Sequence, residues 1–200
     1  MWTYDQFADE VDRWTAHLAA SGVGPGSRVA LSAGNSPAFA AVVFATLRLG
    51  GVVVMVSAAW RDAEVRHALG LTEPTHVVFD DSGAADLPTL AAGRILLPVA
   101  GLPVGVAVSA RPAHSSRPAH SSTTRPSLDD LAVMVFSRGT TGLPKAVCHS
   151  HRTLLAATQH WIDTLGLTAD DRLQVATPPF HILGLLDHAP SSRSSAVTPR

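Results

Sequence analysis

The chain has 200 residues, 46% of them hydrophobic, with a formal net charge of −1; it can bury one ordinary core and has no charge excess to draw it to nucleic acid or an anionic membrane. One cysteine, Cys148, excludes an internal disulfide framework and fits a reducing compartment. Arg48 and Gly50-Gly51 break the most apolar stretch, residues 38–57, short of the roughly 18 apolar residues of a membrane-spanning helix, and the acidic start lacks a signal peptide's basic residues, so a cytoplasmic protein is expected.

The first predicted element is a helix. Thr3 and Gln6 have the spacing of a capping box, Phe7, Val11, Trp14 and Leu18 recur on one face, and Gly22 ends it. After the turn Gly24-Pro25-Gly26-Ser27 comes a short strand, residues 28–32. Ser36 as N-cap and Pro37 at the first helical position open an apolar helix to about Leu49. Gly50-Gly51 breaks that helix, and residues 52–56 read as a buried strand. A helix over 62–69, a strand at 76–79, a short helix near 86–91 and a strand at 94–97 follow. Strands separated by helices predict an α/β fold with a largely parallel sheet.

Residues 100–128 differ in character. The hexapeptide Arg-Pro-Ala-His-Ser-Ser occurs at 111–116 and again at 117–122, and no acidic residue lies between Asp86 and Asp129. This composition predicts a disordered Pro/Ser/Arg linker. His114 and His120 lack the further ligands and scaffold of a metal site. Order is expected to resume with strands at 131–137 and 146–150, a helix from about 152 to 165, and a strand at 172–176 leading into Thr177-Pro178-Pro179-Phe180-His181. The last residues, 188–200, have no periodicity and read as a disordered tail. The expected organisation is therefore 1–99, the linker 100–128, a second folded part over 129–187, and the tail.

Between the strands at 131–137 and 146–150 lies the most informative segment, Ser137-Arg138-Gly139-Thr140-Thr141-Gly142-Leu143-Pro144-Lys145. Lys145 is the only lysine in the chain; the other 14 basic residues are arginine. Glycines allow backbone N–H groups to approach an anion, threonine hydroxyls add donors, and an ammonium is a compact charge for phosphate oxygens. A Walker A loop does not fit, because Leu143-Pro144 precede the lysine, Ala146 follows it, and the continuation is strand-like. A dinucleotide fingerprint at Gly22 and Gly24 fails too, with Ser27 where the third glycine belongs. An ordinary Gly-rich hairpin with a solvated lysine remains the alternative.

Residues 136–147 with His149-Ser150-His151-Arg152 closely resemble the phosphate-loop signature of the adenylate-forming superfamily, which includes acyl-CoA synthetases, luciferases and peptide-synthetase adenylation domains. Residues 24–31, 35–54 and Pro178-Pro179-Phe180-His181 resemble further family segments in the expected order. Thr140-Thr141 and the Val52-Val53-Val54 strand look more like acyl-CoA ligases. The resemblance implies the incomplete N-terminal α/β domain of an enzyme that joins a carboxylic acid, fatty or aryl, to the α-phosphate of ATP with Mg2+, releases pyrophosphate, and passes the acyl group to a thiol such as coenzyme A. It implies that Ser137, Arg138, Gly139, Thr140, Thr141, Gly142 and Lys145 bind the nucleotide phosphates. His181 would lie beside the acyl substrate or the forming adenylate, or else satisfy a strand end. His149 and His151, alternating on one predicted strand, would share a face in a structural role, and Cys148 would be a small buried hydrophobe on the other face.

The pattern also departs from the family. Arg138 stands where the family has a small hydroxyl residue; a guanidinium there either adds a bidentate phosphate contact or fills nucleotide space. Ala146 replaces a glycine, which matters only at positive φ. The family's downstream aromatic-x-Thr-Glu element, ribose-binding aspartate and C-terminal adenylation lysine have no counterpart, since Thr72-Glu73 lies upstream and Lys145 is the sole lysine. Hence the expectation of a fragment, weakly active or inactive alone. The competing expectation is a non-catalytic remnant, or a split subunit completed by a C-terminal polypeptide.

Overall fold

In the computed structural model, residues 3–84, 86–101, 126–137, 142–168, 171 and 177–181 are described. The predicted strand at 172–176, the hexapeptide repeat and the tail lie outside the described residues.

Helix α1 (Tyr4–Ala20) starts where the capping box predicts: Thr3 Oγ1 accepts from Gln6 N at 3.2 Å, and Gln6 Oε1 accepts from Thr3 N at 2.9 Å. Its end is closed by Gly22 at φ 93°, with Val23 N donating to Leu18 O at 2.9 Å. Strand β1 (Arg28–Ser32) follows, then α2 (Pro37–Arg48), whose N-cap Ser36 accepts from Phe39 N at 3.3 Å. Strand β2 (Val52–Met55) is buried along its whole length. Helix α3 (Asp62–Thr72) extends three residues past the predicted end, through Gly70, and stops at Glu73 in the left-handed region, φ 44°. Strand β3 (His76–Phe79), the short helix α4 (Leu87–Leu90) and β4 (Ile95–Pro98) complete the first part, followed by a single 3-10 turn at Val99–Gly101. Strands β5 (Leu131–Ser137) and β6 (Lys145–Ser150) then lead into α5 (His151–Leu165).

These strands form one six-stranded sheet in the order β4-β3-β1-β2-β5-β6, parallel throughout except for the antiparallel β5–β6 pair. Because β5 pairs with β2, the sequence blocks on either side of residues 100–128 share one sheet. One core, on the α1 and α2 side, joins Trp14, Leu18, Phe39 and Val42 to Val29, Leu31, Val53, Met55, Val133 and Val135. The other, on the α3 and α4 side, joins Val65, Leu69 and Leu87 to Ala30, Val52, Val54, Val77 and Met134. Burial on both faces explains the near-continuous Val/Ala/Met composition of β1, β2 and β5.

The loops at the carboxyl ends of β1 and β3 are sewn together. Asp80 accepts from Gly34 N at 3.0 and 3.2 Å and from Ser82 N at 2.8 Å, and Ser32 Oγ accepts from Ala84 N at 3.2 Å. Gly83 permits this approach: a Cβ there would meet Ser32 O at 2.5 Å and Asp80 O at 3.1 Å. Gly83→Ala is therefore expected to cost about 1–3 kcal/mol in urea unfolding through overpacking. Gly24→Ala, where a Cβ meets nothing within 4 Å, serves as the near-neutral control.

Candidate functional site

In open α/β sheets, ligands collect beyond the carboxyl ends of the parallel strands, at the point where successive connections change face. Here that point lies between β1, whose chain leaves over α2, and β3, whose chain leaves over α4. The Asp80 carboxylate and the backbone of residues 82–84 fill it, and the Gly34 and Ser82 amides already have their acceptor. Two strands along the sheet from β1, past β2, lies the carboxyl end of β5.

Strand β5 runs parallel to β2 and ends at Ser137, which is exposed. After seven intervening residues the chain returns as β6, and its first residue, Lys145, pairs directly with Ser137. Directly opposed residues on antiparallel strands hold their Cβ atoms about 5 Å apart on one face. Register therefore starts both side chains from one face at the mouth of the hairpin. The strand was predicted to begin at Ala146; its earlier start makes Lys145 a strand residue with a fixed direction. Alternation places Ser137 and Lys145 on the side of Val133 and Val135, the α1/α2 face. Gly142, at the far shoulder, is exposed. Arg138, Gly139, Thr140 and Thr141 lie outside the described residues.

Ala146 pairs with Phe136. Among the described residues only Glu73 combines a side chain with positive φ, so the Gly-to-Ala departure from the family pattern carries no backbone strain.

His181 closes a turn in which its N–H donates to Pro178 O at 3.0 Å, and its side chain is exposed. Phe180 packs on the α1/α2-side core, so this turn lies on the face that Ser137 and Lys145 share.

Two expectations require correction. His149 and His151 do not share a strand face. Ser150 caps α5, its Oγ accepting from Thr153 N at 3.3 Å, so His151 is the first residue of the helix. There burial pushes the His151 pKa down, partly opposed by the Asp130 carboxylate. Arg152 forks onto Asp129, Nε–Oδ1 2.7 Å, and the guanidinium lowers the Asp129 pKa. Cys148 is exposed rather than buried. It lies on β6, the outermost strand of the sheet, where every residue is exposed or half-buried.

Two residues that the sequence did not single out hold the hairpin from the α3 side. His67 on α3 hydrogen-bonds Pro144 O through Nε2 at 3.0 Å, and the Trp60 ring meets Phe136 edge-on, centroids 5.0 Å apart at 82°. Neither contact has a local sequence signal, because each partner lies more than 70 residues away.

Comparison with known proteins matches this arrangement. The family pattern described as AMP-binding enzyme covers residues 1–195. A feruloyl-CoA synthase from an Amycolatopsis species is 30% identical over 92% of this chain and 35% of its own length. The long-chain-fatty-acid–CoA ligase FadD13 of Mycobacterium tuberculosis is 29% identical over 92% of this chain and 36% of its own. The crystal structure of ATP-bound MatB from Rhodopseudomonas palustris superposes with a TM-score of 0.76 at 26% identity, over 94% of this chain and 37% of that one. The chain thus spans about a third of the length of the curated relatives it matches. Among the described residues no helix is long and apolar enough to cross a membrane. The match over nearly the whole chain settles the family: this chain belongs to the AMP-binding enzymes, and the relatives named above are acyl-CoA ligases.

Proposed function

We propose that this chain provides the triphosphate grip of an acyl-CoA synthetase-like enzyme. Mg-ATP is the nucleotide substrate, and its β- and γ-phosphates lie in the hairpin 137–145. Ser137, Gly139, Thr140, Thr141 and Gly142 supply hydroxyl and backbone donors, Arg138 borders them, and Lys145 neutralises charge. Such phosphoryl chemistry depends on position and electrostatics more than on covalent help from the protein. The observation that carries the reading is the direct pairing of Ser137 with Lys145, the sole lysine, across the mouth of a Gly/Thr loop at the carboxyl edge of the sheet.

The names of the relatives point to a fatty or aryl carboxylic acid as the second substrate and coenzyme A as the thiol acceptor. His181, on the same sheet face as Lys145, would border the acid or the forming acyl-adenylate. The mixed anhydride forms when a carboxylate oxygen attacks the α-phosphorus and pyrophosphate leaves. A single cysteine, Cys148, fits a reducing, cytoplasmic setting.

A second reading is favoured by one observation: a chain with one lysine cannot supply both a phosphate-loop lysine and a separate adenylation lysine. Under it, the chain binds nucleotide and a complementing polypeptide completes the reaction. A calorimetric Mg-ATP titration tests the shared part, and carboxylate-dependent ATP–pyrophosphate exchange with a fatty and an aryl acid separates the two. Saturable ATP binding without exchange is the expected result. Exchange by the chain alone would overturn the second reading, and absence of ATP binding would overturn both.

A further inference from the structure

We propose that α3 and the segment leading into it clamp the phosphate hairpin at both shoulders, with His67 on the helix and Trp60 just before its N-cap as positioning residues for the nucleotide grip; this rests on the nucleotide reading of residues 137–145. The two contacts fall symmetrically. Trp60 bears on Phe136, the residue before Ser137, and His67 bonds the carbonyl of Pro144, the residue before Lys145. Both lie on the α3 side of the sheet, behind the face that carries the Ser137 and Lys145 side chains.

The clamp has a rigid base. Val65, Ala68 and Leu69 of α3 are buried in the core beneath β2 and β5, and Trp60 and Phe136 pack against the same core. The hairpin by contrast belongs to the outermost strand, which has a partner strand on one side only. A strand of that kind frays readily unless something else holds it. Pro144 is buried while Leu143 and Lys145 on either side are exposed, so the His67 bond is placed at the one inward point of that shoulder.

The chemistry of the bond defines the donor. A carbonyl oxygen only accepts, so His67 must carry its proton on Nε2. A side-chain amide of similar reach could donate in its place, whereas alanine could not. Holding Pro144 fixes the backbone from which Lys145 projects, so the effect on nucleotide binding is indirect.

The test compares His67→Ala, His67→Gln and Trp60→Leu with the unchanged chain. In the ligand-free protein, amide hydrogen exchange at residues 142–146 is expected to quicken about three- to tenfold in His67→Ala, in keeping with loss of one hydrogen bond, while β1 keeps its rate. His67→Gln should recover most of that protection, and Trp60→Leu should quicken exchange at 136 and 137. Mg-ATP affinity should fall about three- to tenfold in His67→Ala and recover in His67→Gln. Local exchange and affinity unchanged in His67→Ala, or exchange quickened uniformly across the sheet, would overturn the clamp. Should His67→Ala fail to fold, the Trp60→Leu and His67→Gln exchange patterns decide. Should the unchanged chain bind no ATP, the nucleotide reading fails while the exchange pattern still judges the clamp.

Discussion

Lys145→Ala should weaken Mg-ATP binding by about 10- to 150-fold, the equivalent of roughly 1.5–3 kcal/mol for a hydrogen bond to a charged group. Its effect on unfolding should be within about 0.5 kcal/mol, the range of ordinary surface substitutions. The separation arises because Lys145 is exposed at the start of an outer strand and makes no ion pair among the described residues. Deleting its ammonium costs the folded chain little and costs a bound triphosphate one counter-charge. Lys145→Arg should recover only part of the affinity, since a planar fork on a different stem does not superpose on a point charge.

The composition offers a second measurement of the same prediction. An amine-acylating reagent can label only Lys145 and the α-amino group, because no other lysine exists. Labelling at Lys145, read by peptide mass, should be suppressed by saturating ATP and not by adenosine. Equal labelling with and without ATP would remove Lys145 from the site.

Trp14→Ala is expected to destabilise the chain by about 3–5 kcal/mol, against the 5–15 kcal/mol typical of whole domains. Trp14 is fully buried between α1 and the core built on β1, β2 and α2. Its ring also meets His17 edge-on at 5.7 Å. Its Nε1 is buried without a hydrogen-bond partner among the described residues, so the indole contributes packing and not a polar contact. Trp14→Phe keeps most of the apolar area and removes the unpaired N–H. It should cost below about 1.5 kcal/mol. A urea unfolding series distinguishes the two, and a Phe variant as damaged as the Ala variant would mean that the indole N–H has a partner after all.

Much of this architecture could be read from local signals. Strands β1, β3 and β5 occur at their predicted residues because each is a short, largely apolar run bounded by turn residues. The starts of α1 and α2 were equally plain, since Thr3 with Gln6 and Ser36 with Pro37 satisfy orphan amides within one helical turn. The phosphate loop was visible for a different reason: its glycines, threonines and lone lysine are contiguous.

Other features had no local signal. The helix begins at His151, one residue before its predicted start, and that single residue takes His151 off the strand face it was expected to share with His149. The exposure of Cys148 depended on which strand stands at the end of the sheet, and nothing within a few residues of it shows that β6 is that strand.

By itself the amino-acid order determined the alternating helices and strands, the helix caps, and the chemistry available at residues 137–145, because each depends on groups within a few positions of one another. Tertiary structure alone decided the rest: that Asp80 fills the β1/β3 crevice, that Ser137 faces Lys145, and that Trp60 and His67 reach the hairpin. Those outcomes follow from strand order and register, which are set by burying two sheet faces at once; the Asp80–Gly34 and His67–Pro144 contacts join groups 46 and 77 residues apart.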